Sequence, residues 1–177
     1  IGHILKAGGL DPTVIVGGRV LGVGSNAYLG KSEYLVAEAD EFDRSILRFY
    51  ATIAVITNIE AEHMECYSGI EDLENCFVEF ANRVPFFGTV ILCADDAGIK
   101  RIHSRITRPI LTYGLESRAD FSATEIQFTE DGATFTLVHN GSKTRNVESR
   151  LMGYHNIRNL LAGFAVADDL EIPIDVV

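Results

Sequence analysis

The chain has 177 residues with 47% hydrophobic and 23% charged side chains, which fits one globular domain large enough for a full core. Its formal net charge of −10 argues against a nucleic-acid partner, because the surface would repel phosphates. A bound divalent cation would still permit a nucleotide substrate. No apolar run approaches the roughly 20 residues that a membrane helix needs, so we expect no membrane partner.

The cysteines and the chain ends indicate the compartment and the extent of the protein. Cys66, Cys76 and Cys93 lack metal-type spacing and predict reduced thiols and a cytoplasmic location. The first residues are typical of the last turns of a helix that ends at Gly8–Gly9, and the last ones follow a helix that ends before Pro173. Both ends look cut, so we expect residues 1–177 to be a single domain of a longer protein.

Strands alternate with helices through the first two thirds of the chain. In chain order, the predicted elements are a helix at Ile1–Ala7, a strand at Thr13–Gly18, a Gly-rich loop at Gly17–Lys31, strands at Glu33–Ala39 and Thr52–Asn58, a helix at Ile70–Val84, a strand at Thr89–Asp96, a short helix at Ala97–Ser104 and a strand at Pro109–Gly114. This alternation predicts right-handed βαβ units and an α/β fold with a mostly parallel open sheet flanked by helices. We assign the aromatic side chains around the longer helix to the core: Phe77, Phe80, Phe86 and Phe87.

The pattern then changes to polar and apolar residues in alternation. Strands are predicted at Ala119–Phe128, Ala133–His139 and Lys143–Glu148, with the hairpin dipeptides DG and NG between them. We expect a small antiparallel three-stranded meander attached to the parallel sheet. A final helix is predicted over His155–Leu170.

The tripeptide Gly30–Ser32 reads GKS and invites assignment as a phosphate-binding loop. We reject that assignment, because such a loop needs a glycine where this chain has Ser25. It also needs a helix directly afterwards, and here a strand is predicted. The same stretch still offers Asn26, whose amide can donate to and accept from a polar ligand, although a plain connection remains the alternative.

Two acidic runs each follow a predicted buried strand and carry the best clue to function. Residues Ala37–Ser45 follow the strand residues YLVA, and residues Thr57–Glu65 follow IAVIT. Open α/β sheets bind ligands at the carboxyl ends of their strands. The carboxylate of Glu38 and the imidazole of His63 therefore suit a magnesium ion that bridges phosphate and protein.

Both residues also have an ordinary structural interpretation. Glu38 could be a capping or salt-bridged carboxylate, and His63 a structural histidine bonded to backbone. Asp40, Glu41 and Asp43 crowd behind Glu38, however, and like charges this dense cost stability unless cations compensate. We favour metal binding and expect Glu38 and His63 to converge across the ends of adjacent parallel strands.

A third group of polar residues opens the last predicted helix. His155, Asn156 and Asn159 stand at its start, and the two asparagines are three residues apart on one helix face. Two amides in this arrangement could read the edge of a purine ring. The alternative is a helix N-cap, a common position for asparagine.

Five strings, in this order, resemble the central, ATP-binding domain of the Mur ligases of peptidoglycan synthesis. They are LDPTVIVGGRV, GSNAYLGKSEYLVAEADEFDRS, AVITNIEAEHMECY, FVEFANRVPFFG and GYHNIRNLLA. The resemblance covers essentially the whole chain, and the likeness is closest to the members that add L-alanine to UDP-N-acetylmuramate. It implies a role in cell-wall growth and division.

The resemblance also implies roles for individual residues. Glu38 and His63 match the family's magnesium ligands, and Asn26 matches the loop asparagine that contacts the UDP-muramyl substrate. Asn156 and Asn159, beside His155, match the residues that bind the adenine of ATP. Some sister ligases support a second magnesium with a carbamylated lysine, but no lysine occurs between Lys31 and Lys100, and we expect Glu79 to take that place.

The implied parent protein is an ATP-dependent ligase that forms an amide between L-alanine and UDP-N-acetylmuramate through an acyl phosphate. No side chain of this chain is expected to act as a nucleophile. The family's phosphate loop and its N-terminal UDP-binding and C-terminal domains are expected outside residues 1–177, so the isolated chain should be inactive. Three alternatives stay open: a murein tripeptide ligase of the same family, a non-catalytic nucleotide-binding module and a metal-dependent hydrolase.

Overall fold

Two sheets form the framework of the protein. The computed structural model describes residues 1–18 and 25–177, so part of the predicted Gly-rich loop, residues 19–24, lies outside the described residues. The helices are α1 (Gly2–Ala7), α2 (Ile70–Asn82), α3 (Ala97–Ile102) and α4 (Tyr154–Asp169), with 3-10 segments at Phe42–Arg48, His103–Arg105 and Ile174–Val176. The strands are β1 (Thr13–Ile15), β2 (Ala27–Tyr28), β3 (Leu35–Ala37), β4 (Ile53–Ile56), β5 (Thr89–Cys93), β6 (Ile110–Tyr113), β7 (Phe121–Thr129), β8 (Gly132–His139) and β9 (Ser142–Ser149).

The larger sheet has six strands in the order β4-β5-β6-β7-β8-β9. Its first three strands are parallel, and β7 joins them in parallel at the single pair Tyr113 and Phe121. Strands β7, β8 and β9 then form the antiparallel meander that the alternation predicts. The α/β class, with a largely parallel core sheet and an attached meander, is therefore confirmed.

The smaller sheet has the order β2-β1-β3 and is a separate sheet. Strand β1 pairs in parallel with β3 and antiparallel with β2. The two-residue strand β2 lies inside the predicted Gly-rich loop, where no apolar periodicity signals it. The expectation that the strands before Glu38 and His63 are adjacent is wrong, because β3 and β4 belong to different sheets.

The core is centred on β5, in which every residue is buried. Because successive side chains of a strand point to opposite faces, both faces of the sheet are covered at this strand. Helix α4 packs against β5, β6 and β7 with a buried stripe that includes Ile157, Leu161 and Phe164. The carboxyl ends of β4, β5 and β6 consequently lie on one edge, close to the start of α4.

The expected burial of two aromatic side chains is wrong. Phe77 and Phe80 are in the core, but Phe86 and Phe87 are 82% and 69% exposed. They follow the end of α2 in the turn that precedes β5, where their side chains leave the helix stripe and pack edge-on against each other.

The GKS tripeptide packs against the segment that leads into β1. Strand β3 follows it, as the rejection of a phosphate loop requires. A Cβ on Gly30 would lie 2.0 Å from the carbonyl oxygen of Asp11, so only glycine fits this close backbone approach. Ser32 donates both its backbone N–H and its hydroxyl to that same carbonyl, each at 3.0 Å.

Among the helices of the described residues, none has the length and apolarity to span a bilayer.

Candidate functional site

Three side chains that can ligate a metal converge at the carboxyl ends of β3 and β4. Asp40 and Glu41 lie in the loop after β3 and His63 in the loop after β4, and one ligand atom from each lies within 4.8 Å of the other two. The closest imidazole contact joins His63 Nε2 and Asp40 Oδ1 at 3.9 Å. Two carboxylates and an imidazole form a donor set that suits a hard divalent cation. We call Asp40, Glu41 and His63 the acidic cluster.

The backbone around the acidic cluster is held in uncommon conformations. His63 has a φ of 54°, and Asp43 and Arg44 have φ of 50° and 62°, all in the left-handed region that costs energy for residues other than glycine. The Tyr67 hydroxyl donates to the Glu41 carbonyl at 2.5 Å, and the Phe42 ring packs edge-on against the His63 ring at 5.4 Å. These contacts maintain the bends that bring the two loops together.

Tyr67 is positioned to keep donating that hydrogen bond. Burial is the main cause that raises the pKa of its hydroxyl, and a hydrogen bond to Cys76 adds to the effect. The phenol therefore stays protonated near neutral pH and remains a donor to the Glu41 carbonyl.

A salt bridge joins the acidic loop to helix α2. Arg44 Nη2 lies 2.5 Å from Asp72 Oδ2, and the Ser68 backbone N–H donates to the same oxygen at 3.0 Å. The hydrogen bond from Arg44, followed by that from Ser68, lowers the pKa of Asp72 to about 2. The Asp72 carboxylate is therefore charged throughout the physiological range and holds the loop against the helix.

Glu38 lies in the same loop but faces the smaller sheet. Its Oε2 accepts the backbone N–H of Gly17 at 2.6 Å, which joins the carboxyl ends of the parallel strands β1 and β3. Asn26 is at the same end. Its backbone carbonyl accepts the Val16 N–H at 3.0 Å, and its side chain is exposed. The structure thus brings Glu38 near the loop that contains Asn26, and it groups His63 with Asp40 and Glu41.

Glu79, the predicted substitute for a carbamylated lysine, is engaged along its own helix. Its Oε1 lies 2.7 Å from Arg83 Nη2, and the Arg83 guanidinium also donates to the Leu47 carbonyl. The acidic cluster does not include Glu79.

The residues predicted to contact a nucleotide stand in the first turns of α4. Gly153 precedes the helix with a φ of 92°, a left-handed conformation that favours glycine, and its Cα lies beside the exposed His155 ring. The helix has no side-chain N-cap, so neither asparagine serves as one. Asn156 Nδ2 donates to the Met152 carbonyl at 2.8 Å, its amide oxygen has no hydrogen-bond partner among the described residues, and Asn159 is exposed.

Two aspartates after β5, Asp95 and Asp96, connect the loops of this edge, although the sequence predicts them only as the end of the strand Thr89–Asp96. Asp96 caps α3 by accepting the Ile99 N–H at 2.7 Å, and it also accepts the Ile59 N–H at 3.3 Å from the loop that leads to His63. Asp95 accepts N–H groups from the loop after β6 and pairs with Arg158 of α4. Their position directly after the buried strand TVILC was the available signal, because carboxyl ends of strands face the ligand edge.

The sequence profile of the Mur ligase middle domain matches residues 24–167. The chain belongs to the Mur ligase family. The UDP-N-acetylmuramate–L-alanine ligase of Sorangium cellulosum is 46% identical over 99% of this chain and 38% of the relative. The enzyme of that name from Syntrophotalea carbinolica is 42% identical, again over 99% of this chain and 38% of the relative.

A solved Mur ligase shares the fold of this chain. The crystal structure of the UDP-N-acetylmuramate–alanine ligase of Thermotoga maritima superposes with a TM-score of 0.86, at 21% identity, over 99% of this chain and 39% of that one. The chain thus spans 38–39% of the length of these three Mur ligases.

Proposed function

We propose that the protein carrying this chain is an ATP-dependent ligase that joins L-alanine to UDP-N-acetylmuramate in peptidoglycan synthesis. The observation that carries this proposal is the 42–46% identity, along nearly all of the chain, to relatives named for that activity. The activity belongs to the whole protein, and this chain would supply its nucleotide- and metal-binding edge in the cytoplasm.

The acidic cluster fits a magnesium ion. Its carboxylate and imidazole donors are within 4.8 Å of one another, and the strained backbone at His63 holds them there. By the family resemblance Glu38, two residues before Asp40, would be a further ligand, although in this structure its Oε2 accepts the Gly17 N–H. A bound magnesium ion would neutralise negative charge on the phosphate oxygens of ATP.

The start of α4 would hold the adenine. The exposed amide of Asn159 and the free amide oxygen of Asn156 can together donate to and accept from a purine edge, with His155 beside them. Asn26, exposed next to Glu38, would contact the UDP-muramyl substrate.

The residues of this chain would act by binding and orientation. In the proposed reaction the substrate carboxylate oxygen attacks the γ-phosphorus of ATP and ADP leaves. The alanine nitrogen then attacks the acyl carbon, phosphate leaves, and the nitrogen loses a proton. Neither step needs a protein nucleophile, because positioning of the reactants and electrostatic stabilisation of the transition state would provide the rate enhancement.

An assay of the full-length protein with a panel of amines tests the proposal. With ATP, magnesium and UDP-N-acetylmuramate present, we expect L-alanine to give phosphate and an amide product, and each omission to abolish both. A preference for L-alanyl-γ-D-glutamyl-meso-diaminopimelate would instead indicate a murein peptide ligase. Nucleotide binding without any amide product would indicate a non-catalytic module and contradict the proposal.

A further inference from the structure

Asp95 is the most heavily engaged carboxylate at the ligand edge. Its side chain is only 6% exposed, and its two oxygens accept three successive backbone N–H groups from the loop after β6: Leu115 at 2.7 Å, Glu116 at 3.0 Å and Ser117 at 2.8 Å. Burial by itself would raise the pKa of Asp95, but these bonds and Arg158 outweigh it and hold the pKa below its ordinary value. The carboxylate is therefore charged at neutral pH.

The loop after β6 is shaped around this carboxylate. A Cβ on Gly114 would lie 2.8 Å from Asp95 Oδ1, so glycine makes the space into which the carboxylate fits. The next three residues turn their N–H groups toward it. The position of this loop at the edge of the sheet thus depends on Asp95.

Arg158 connects the same carboxylate to α4. Its Nε lies 3.2 Å from Asp95 Oδ2, and its Nη2 lies 3.1 Å from Glu116 Oε1 in the loop. Arg158 stands between Asn156 and Asn159 in the sequence. No side chain caps the start of α4 within the described residues. The Asp95–Arg158 ion pair instead connects the first turns of this helix to the carboxyl end of β5.

We propose that Asp95 is a positioning residue for nucleotide binding, which acts through Arg158 to hold the amides of Asn156 and Asn159 at the ligand edge. The inference rests on the proposed adenine contacts of those asparagines. It assigns to the Asp95–Arg158 pair a role in the affinity for ATP, in addition to any contribution to stability.

Two substitutions in the full-length ligase test this role. Asp95→Asn keeps the shape and removes the charge, and Arg158→Gln removes the other partner. Each should raise the KM for ATP about five- to tenfold, with kcat and the KM for L-alanine unchanged. This effect is smaller than that of losing a charge-assisted hydrogen bond made directly to ATP, because the pair acts on the nucleotide only through the asparagines. The double variant should be no worse than the more severe single variant, because both act through one contact.

Glu74→Gln is the matched control. Glu74 is also largely buried, with a side chain 10% exposed, and it pairs with Arg101 at 2.5 Å between α2 and α3. Its substitution should leave the KM for ATP unchanged. If the Asp95–Arg158 pair were purely structural, both substitutions would lower the melting temperature and leave the KM for ATP unchanged. That result would overturn the inference. If Asp95→Asn does not fold, Arg158→Gln decides alone, because that side chain is 31% exposed.

Asn156→Ala separates this inference from the proposed function. An unchanged KM for ATP in Asn156→Ala would refute the adenine contact and the positioning role that rests on it. A raised KM in Asn156→Ala, together with unchanged values in Asp95→Asn and Arg158→Gln, would refute the positioning role alone.

Discussion

Glu38 and Asp40 are two residues apart in one loop, yet their side chains have different partners. Glu38 accepts the Gly17 N–H beside the smaller sheet, whereas Asp40 belongs to the acidic cluster with His63. The family resemblance favours Glu38 as a magnesium ligand, and the geometry adds Asp40. Both lie in one loop, in which Glu38 bonds to the backbone of Gly17 and Asp40 belongs to the candidate metal site.

Glu38→Gln tests the ligand role at this residue. Glutamine can still accept the Gly17 N–H, so we expect the fold to survive and kcat of the full-length ligase to fall about a hundredfold or more. Magnesium titrations of turnover would measure the effect. Glu33→Gln, an exposed carboxylate before β3, is the control and should behave like the unmodified enzyme. A Glu38→Gln enzyme with unaltered magnesium dependence would restrict Glu38 to its hydrogen bond with Gly17.

At the scale of elements, the Arg44–Asp72 pair attaches the 3-10 segment Phe42–Arg48 to α2. The folded-state pKa of Asp72 is lowered to about 2 from an ordinary 3.8. A depressed pKa means that the stabilisation is fully present above the unfolded-state pKa and is lost as the pH falls toward the folded-state value.

We therefore expect the stability difference between the unmodified protein and Asp72→Asn to be constant above about pH 5 and to shrink between about pH 4 and pH 2. Urea unfolding at a series of pH values would measure this difference. Glu71→Gln, exposed on the same turn of α2, is the control for the loss of one charge. A difference that grows as the pH falls would show that the assigned sign is wrong.

The elements that sequence predicts well are those with a strong apolar pattern. Strands β4 to β8 and helices α2 and α4 lie within a few residues of their predicted ranges, because buried runs such as Thr89–Cys93 have one stable arrangement. Strand β9 is mostly exposed, and the NG turn before it is the signal that locates it. Strand β2 has two residues and a β1 partner distant in sequence, and the exposure of Phe86 and Phe87 depends on where α2 ends. Local pattern does not encode these long-range features.

The sequence predicts which loops contain the candidate site residues, but not which of these residues contact one another. Both acidic runs and the start of α4 were identified from their positions after strands or before a helix. His63 lies beside Asp40 and not beside Glu38 because the backbone at His63 and Asp43 is left-handed. Histidine and aspartate do not predict that conformation from sequence. The same holds for the contacts of Asp95.

On the scale of the whole molecule, most of the candidate site residues lie at the carboxyl ends of strands of the two sheets or at the start of α4. Asp96 connects the loop of His63 to α3, and Asp95 connects the start of α4 to the loop after β6. The proposed metal position lies after β3 of the smaller sheet and β4 of the larger one, and the proposed adenine position is attached to the end of β5. Under the proposed function, this arrangement would hold a nucleotide by its base and its phosphates together. The chain spans 38% of the length of the Sorangium cellulosum and Syntrophotalea carbinolica relatives.

The magnesium dependence of ligation in the full-length protein tests the central claim most directly. His63→Ala should lose turnover at a magnesium concentration that saturates the unmodified enzyme and should recover part of it at higher magnesium, because other ligands remain. His103→Ala, an exposed histidine in a separate 3-10 segment, should retain the unmodified profile. A His63→Ala enzyme with the same magnesium profile as His103→Ala would contradict the metal-binding role of this edge.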